Sequence, residues 1–327
     1  MTSPPLERRA LVTLRLVDAI GWLGPLGLVV ALLGALPMHF ASSLALGFGL
    51  LVTLTFGIAH GALDHELAER LHGASKRTTV RIVFGYAAAV ALAFGAFIVF
   101  PLPLFAAFIA ISIVHFGSGD RSFAARYLGE DSPRFARLRT LGFGAFPIAV
   151  PFLAHPLETL VLVPQSIGFA VANPPLVPFA LRVAMLSIVG IVVVVAASAR
   201  AVRARCARLP RWYVLELPVA FIALVVAPPL PAFLLYFGCW HGARHLLRLA
   251  EFYGVDVNAS FARNRVAMQS FALRSLPMTV GALALGVFVA VEIPRTFSFS
   301  TAIVGFAFAV TVPHMLAVRY MNRTAAA

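Results

Sequence analysis

Read from its first residue, the chain alternates between apolar runs of roughly twenty residues and short basic interruptions. A helix rises about 1.5 Å per residue, so a run of that length crosses a hydrocarbon layer ~30 Å thick. The runs fall near 19–37, 41–60, 81–99, 103–118, 139–154, 177–199, 212–228, 231–248, 271–291 and 299–318. They predict an all-α, polytopic transmembrane helix bundle of about ten spans, within a range of eight to eleven. Segment 156–172 is interrupted by Pro156, Glu158, Pro164 and Gln165, and reads as a re-entrant or interfacial piece or a broken span. The short loops leave no room for a separate soluble domain, so residues 1–327 are read as a single membrane domain.

Composition agrees with the pattern. Hydrophobic residues make up 61% of the 327, charged residues only 12%, and mean hydropathy is +0.92; soluble chains run nearer half and a quarter. The net charge of +13 would suggest nucleic acid as partner in a soluble protein. Here the arginines sit between apolar runs, which makes them determinants of orientation and leaves nucleic acid out. The clusters are Arg8, Arg9 and Arg15; Lys76, Arg77 and Arg81; Arg121 to Arg139; Arg200 to Arg211; Arg248 to Arg274; and Arg319 with Arg323. If 156–172 does not cross, all of them share one face, and the opposite turns hold only Arg295. The positive-inside rule then predicts a multi-pass protein of the plasma or inner membrane with both termini cytoplasmic. The first residues, MTSPPLERRA, lack a small-residue cleavage site at a suitable distance and do not read as a secretory signal. Cys206 and Cys239 suggest neither a disulfide framework nor a thiolate metal site.

Against this background the histidines stand out, because ionisable groups at membrane depth are costly and mark sites. His60 and His65 close the second run, His115 the fourth, His241 and His245 lie late in the eighth, and His314 in the last; His72 is in a neighbouring loop. All belong to the inward half, whereas His39 and His155 read as interfacial residues of the other face. Neutral imidazole ligates metals without bringing a buried negative charge. His241 and His245, four apart, project from one helix face. With His60 and His115 they predict a four-imidazole metal site drawn from three helices; the plainer alternative is hydrogen bonding between helices. Spacing alone admits iron, zinc or copper. Asp64, four residues from His60, is expected to fix that imidazole's tautomer, and Asp120, five from His115, to do likewise or to cap the helix. Arg244 needs an acidic partner if buried, with Glu251, Asp64 and Asp120 available. His65, turned away from His60 within the charged run HELAERLH, is assigned a supporting or surface role.

Taken in order, HGALDH (60–65), HFGSGD (115–120), WHGARH (240–245) and PHMLAV (313–318) resemble the Brp/Blh family of membrane β-carotene 15,15'-dioxygenases. The resemblance runs from the second span to the last. It implies an integral membrane enzyme that uses Fe(II) and O2 to split β-carotene at its central double bond into two retinals, the chromophore of rhodopsins. By position it assigns the metal to His60, His115, His241 and His245, with Asp64, Asp120 and His314 matching further motif positions. A bilayer-dissolved polyene suits such a chain, and Phe56, Phe116, Tyr236, Phe237 and Trp240, next to the proposed ligands, are expected to contact it. The rivals are a diiron desaturase or hydroxylase, which would need about eight histidines in tighter boxes, and a divalent-metal transporter, which would spread ionisable groups along a path at several depths.

Overall fold

The computed structural model describes residues 15–61, 63–64, 76–130, 133–160, 177–207, 209–292 and 299–324. Helix α1 is Leu16–Leu33 and α2 is His39–Val52. Helix α2 runs on through a π-helical turn at Thr53–Gly57 and a 3-10 turn at Ala59–Gly61. Then come α3 (Lys76–Val99), α4 (Pro101–Leu128), α5 (Ala136–Ala154), the short α6 (Pro156–Leu160), α7 (Phe179–Ala207) and α8 (Trp212–Val226). Helix α9 (Pro229–Leu235) passes through a second π-helical segment, Tyr236–Gly242, into α10 (Ala243–Glu251). Helices α11 (Phe261–Glu292) and α12 (Phe299–Thr324) complete an all-α bundle.

Proline and glycine set several of these limits. Pro101 and Pro229 open α4 and α9, where a missing N–H costs nothing. Gly129, at φ 60°, closes α4 in the left-handed conformation that glycine adopts without strain. The first free N–H groups of α1 are satisfied from afar: Leu16 donates to the Ala259 carbonyl and Val17 to that of Val257, each at 3.1 Å.

Seven helices are long and apolar enough to cross a membrane, among the described residues, rather than the expected ten. They are α1, α2 with its extension to Gly61, α3, α4, α7, α11 and α12. The expected spans at 139–154, 212–228 and 231–248 form helices of another kind. Helix α5 contains Pro147 and Pro151, α8 is only 15 residues long and carries Glu216, and the third is divided among α9, the π segment and α10. Of 156–172, only α6 falls among the described residues.

Burial separates two roles. In α3 and α7 only 6% of the apolar stretch is buried, so these helices form the bundle's lipid-facing periphery. Helices α8, α9 and α10, with the π-helical segment between the last two, contribute much of the interior, including Trp212, Tyr213, Leu224, Leu235, Trp240 and Leu249. Trp212 and Tyr213 pack with Leu16, Leu128, Leu247 and Val257 at one end of the bundle. Leu224 and Ala227 pack with Ala31, Val150 and Leu235 toward the other. Arg15, Arg126, Arg139 and Arg203 all bond at the first end, to Asp18, Glu251, Glu130 and the Leu128 and Gly129 carbonyls. His155, in contrast, bonds the Val225 carbonyl at the second end.

Candidate metal centre

Two irregular helices approach each other to build the site. The π-helical turn before His60 packs on the π-helical segment holding His241, with glycines at the points of closest approach. A methyl group on Gly238 would meet the Val52 backbone at 2.7 Å, and one on Gly242 the Phe56 carbonyl at 2.8 Å. Helix α4 is held closer still to α5, where Gly117 abuts the Thr140 carbonyl and Gly144 the Ile113 carbonyl. These contacts carry His115 inward. The extra backbone residue of a π-turn shifts side-chain phase, a common device at functional sites.

His60, His115, His241, His245 and His314 are all buried, none more than 6% exposed. His60, His115 and His314 each offer a nitrogen within 4.8 Å of the other two, a cluster suited to a divalent metal. His241 Nε2 lies 3.1 Å from His115 Nε2. The His245 ring centroid is 5.3 Å from that of His60 and 5.4 Å from that of His314. Imidazoles sharing one cation through ~2.1 Å bonds have centroids no more than about 6.5 Å apart. Nine of the ten ring pairs among the five, all but His241–His314, make contacts within that limit, the widest being His60–His115 and His241–His245 at 6.4 Å.

The polar bookkeeping points the same way. His60 Nδ1, His245 Nδ1 and His314 Nε2 are buried without a hydrogen-bond partner. Such a group costs about 1–3 kcal/mol when left unsatisfied. Orphaned nitrogens on three imidazoles of one buried cluster fit a divalent cation that accepts nitrogen donors; imidazole suits iron, zinc, copper and nickel.

The expected supporting residues are present with different partners. Asp64 does not bond His60. Its Oδ2 accepts from His314 Nδ1 at 2.8 Å and from the Tyr86 hydroxyl at 3.4 Å. The helical rule of i, i+4 fails there because the chain leaves α geometry after Val52. Nor does Asp120 bond His115. It accepts from Trp240 Nε1 at 2.8 Å, Arg244 Nη1 at 3.2 Å and the Tyr236 hydroxyl at 3.3 Å. Arg244 also pairs with Glu216, a residue the motifs do not include, and lies over the Trp240 ring, 4.3 Å from its centroid. Glu216 in turn accepts from Arg200 at 2.5 Å. Glu251, proposed as an Arg244 partner, instead accepts from Arg126 and Tyr127. A lone carboxylate inside an apolar run was the available signal for Glu216; Tyr86 had none. His65 and His72 lie outside the described residues.

The aromatic residues divide. Phe116 packs on His241 at 4.7 Å between centroids, and Phe237 on His60 at 5.6 Å. Tyr236 and Trp240 turn their polar atoms to Asp120. Phe56 packs with the apolar cluster around Val52, Leu235 and Cys239.

Residues 51–322 match the sequence profile of β-carotene 15,15'-dioxygenases. The chain belongs to the Brp/Blh family of these enzymes. It is 30% identical to the probable β-carotene 15,15'-dioxygenase Blh of Halobacterium salinarum, in an alignment covering 98% of this chain and 96% of the relative. No solved structure matches. The matched region holds every histidine of the cluster, so membership and geometry concern the same residues, those of a membrane-embedded, metal-dependent oxidoreductase.

Proposed function

We propose that this protein cleaves β-carotene at its central 15,15' double bond with O2, giving two molecules of all-trans-retinal, and that His60, His115, His241 and His245 hold the Fe(II) this requires. The observation that carries the reading is the set of buried imidazoles with unpartnered nitrogens inside the bundle of a chain of this family. Bound iron would supply the activation of O2, whose two atoms end in the two aldehyde groups as the carbon–carbon double bond breaks. The chain's own residues would do the rest. The imidazoles ligate without adding negative charge to an apolar interior. Phe116 and Phe237, beside them, would press on the polyene and exclude water. Asp64 would hold an imidazole proton in place, and Asp120 with Arg244 would brace the segment carrying His241.

The protein would reside in the cell membrane with its arginine-rich end cytoplasmic, a reading supported by the shared position of Arg15, Arg126, Arg139 and Arg203. Its substrate then arrives by lateral diffusion in the lipid. The test is an assay of purified protein with β-carotene under air and under argon, with retinal quantified by chromatography and iron by elemental analysis. Retinal under air only, at about one iron per chain, is expected. Metal uptake into vesicles without carotenoid turnover would instead establish a transporter.

A further inference from the structure

Resting on the metal reading above, we propose that His314 is a fifth imidazole ligand of the same cation, positioned by Asp64 and Tyr86. The sequence put this histidine among the supporting residues. Its ring centroid lies 4.7 Å from that of His60, 5.0 Å from His115 and 5.4 Å from His245, as near as the expected ligands lie to one another. Its two nitrogens are treated differently. Nδ1 meets Asp64 Oδ2 at 2.8 Å, so the proton resides on Nδ1 and the lone pair on Nε2. That Nε2 is buried and has no hydrogen-bond partner. An imidazole kept only for helix–helix bonding would use both nitrogens or expose one. This one spends a hydrogen bond on fixing its tautomer and leaves the other nitrogen bare, in a ring that offers a nitrogen within 4.8 Å of nitrogens of His60 and His115.

The carboxylate is itself braced. Asp64 is 4% exposed, and the Tyr86 hydroxyl donates to the same Oδ2 from α3. A carboxylate behind a ligating imidazole orients the ring and raises its basicity. Helix α3, otherwise lipid-facing, thereby reaches the centre, and its packing on α12 around Gly305, against Phe97 and Phe94, holds the helix that carries His314. The site would thus draw on both chain halves, with Asp64 and His314 separated by 250 positions.

Full-length protein in detergent, stripped of metal, would be titrated with Fe(II) against a competing chelator and separately loaded with Co(II) as a spectroscopic probe. His314→Gln should weaken Fe(II) binding by about 100-fold or more, Asp64→Asn by about 10–100-fold, and Tyr86→Phe by less. The visible Co(II) bands should change shape and intensity in His314→Gln, because the donor count falls, and stay unchanged in His155→Gln, whose imidazole lies elsewhere. Wild-type Co(II) spectra and affinities within about twofold in both His314→Gln and Asp64→Asn would overturn the proposal. If His314→Gln does not fold, Asp64→Asn alone decides by its affinity. A wild-type protein that binds neither ion would overturn the metal reading itself, a result distinct from four-ligand binding indifferent to His314.

Discussion

Two polar clusters lie side by side in this bundle, and they are finished to different degrees. In the charge ladder, Asp120, Glu216 and Glu130 alternate with Arg244, Arg200 and Arg139. Each carboxylate faces at least one guanidinium; Tyr213 also donates to Glu130, and Trp240 and Tyr236 to Asp120. Arg244 lacks a partner only at Nε, while its plane lies over the rings of Trp240 and Phe123. The histidine cluster next to it meets one carboxylate among the described residues, Asp64 on His314, and keeps bare nitrogens on His60, His245 and His314. The ladder is complete as protein, so its role is to hold α4, α5, α7, α8 and α10 together. The histidines are complete only with something added, so their role is to bind.

That contrast can be broken by substitutions that should act on stability in one cluster and on metal in the other. The largest effect is expected from Glu216→Ala, which takes the shared carboxylate from two buried arginines, leaves the ladder with one uncompensated positive charge and should cost about 3–5 kcal/mol. Detergent thermal unfolding would register the loss, and protein that remains folded should keep metal affinity near wild type. Equal loss of metal affinity would dissolve the distinction. His241→Ala should do the reverse, lowering bound iron and retinal formation by about 100-fold or more with little loss of apo-protein stability. Elemental analysis, product chromatography and unfolding of the metal-free protein would check it.

A third outcome sharpens the same point. Fe(II) at about a hundred times its dissociation constant should stabilise wild-type protein by about 2.7 kcal/mol, and chelation should abolish this gain. In His241→Ala the gain should vanish; in a ladder variant it should persist. The smallest effect concerns the scaffold that delivers His115. Gly117→Val forces a side chain onto the Thr140 carbonyl of α5 and should cost about 1–3 kcal/mol, with metal affinity falling in step as His115 is displaced. Unfolding and Fe(II) titration of the variant would measure both.

Much of this was legible before any fold was known. A histidine inside an apolar run is conspicuous because lipid gives it no solvent; His60, His115 and His314 do converge, with the rings of His241 and His245 packed beside them. The arginine clusters placed the loops that meet at one end. What misled was local geometry. Asp64 is four residues from His60, but the π-helical and 3-10 turns between Thr53 and Gly61 remove the helical register on which that inference depended. The span count was high for a related reason. Interior helices need not be long or wholly apolar when neighbours cover them, so α8 and the divided α9–α10 read as spans by hydropathy yet do not form long apolar helices.

By itself the sequence determined that this is an all-α membrane bundle, which end is basic, and which histidines are too deep to be incidental. Those properties follow from the cost of placing each residue type in lipid, a cost that is additive along the chain. Which carboxylate serves which histidine was decided only by tertiary structure. Asp64 meets His314 across the length of the protein, Tyr86 joins them from a peripheral helix, and Glu216 completes the ladder between Arg200 and Arg244. Hydrogen bonds depend on distance and direction at the scale of a single atom, and only the packing of helices against one another sets those.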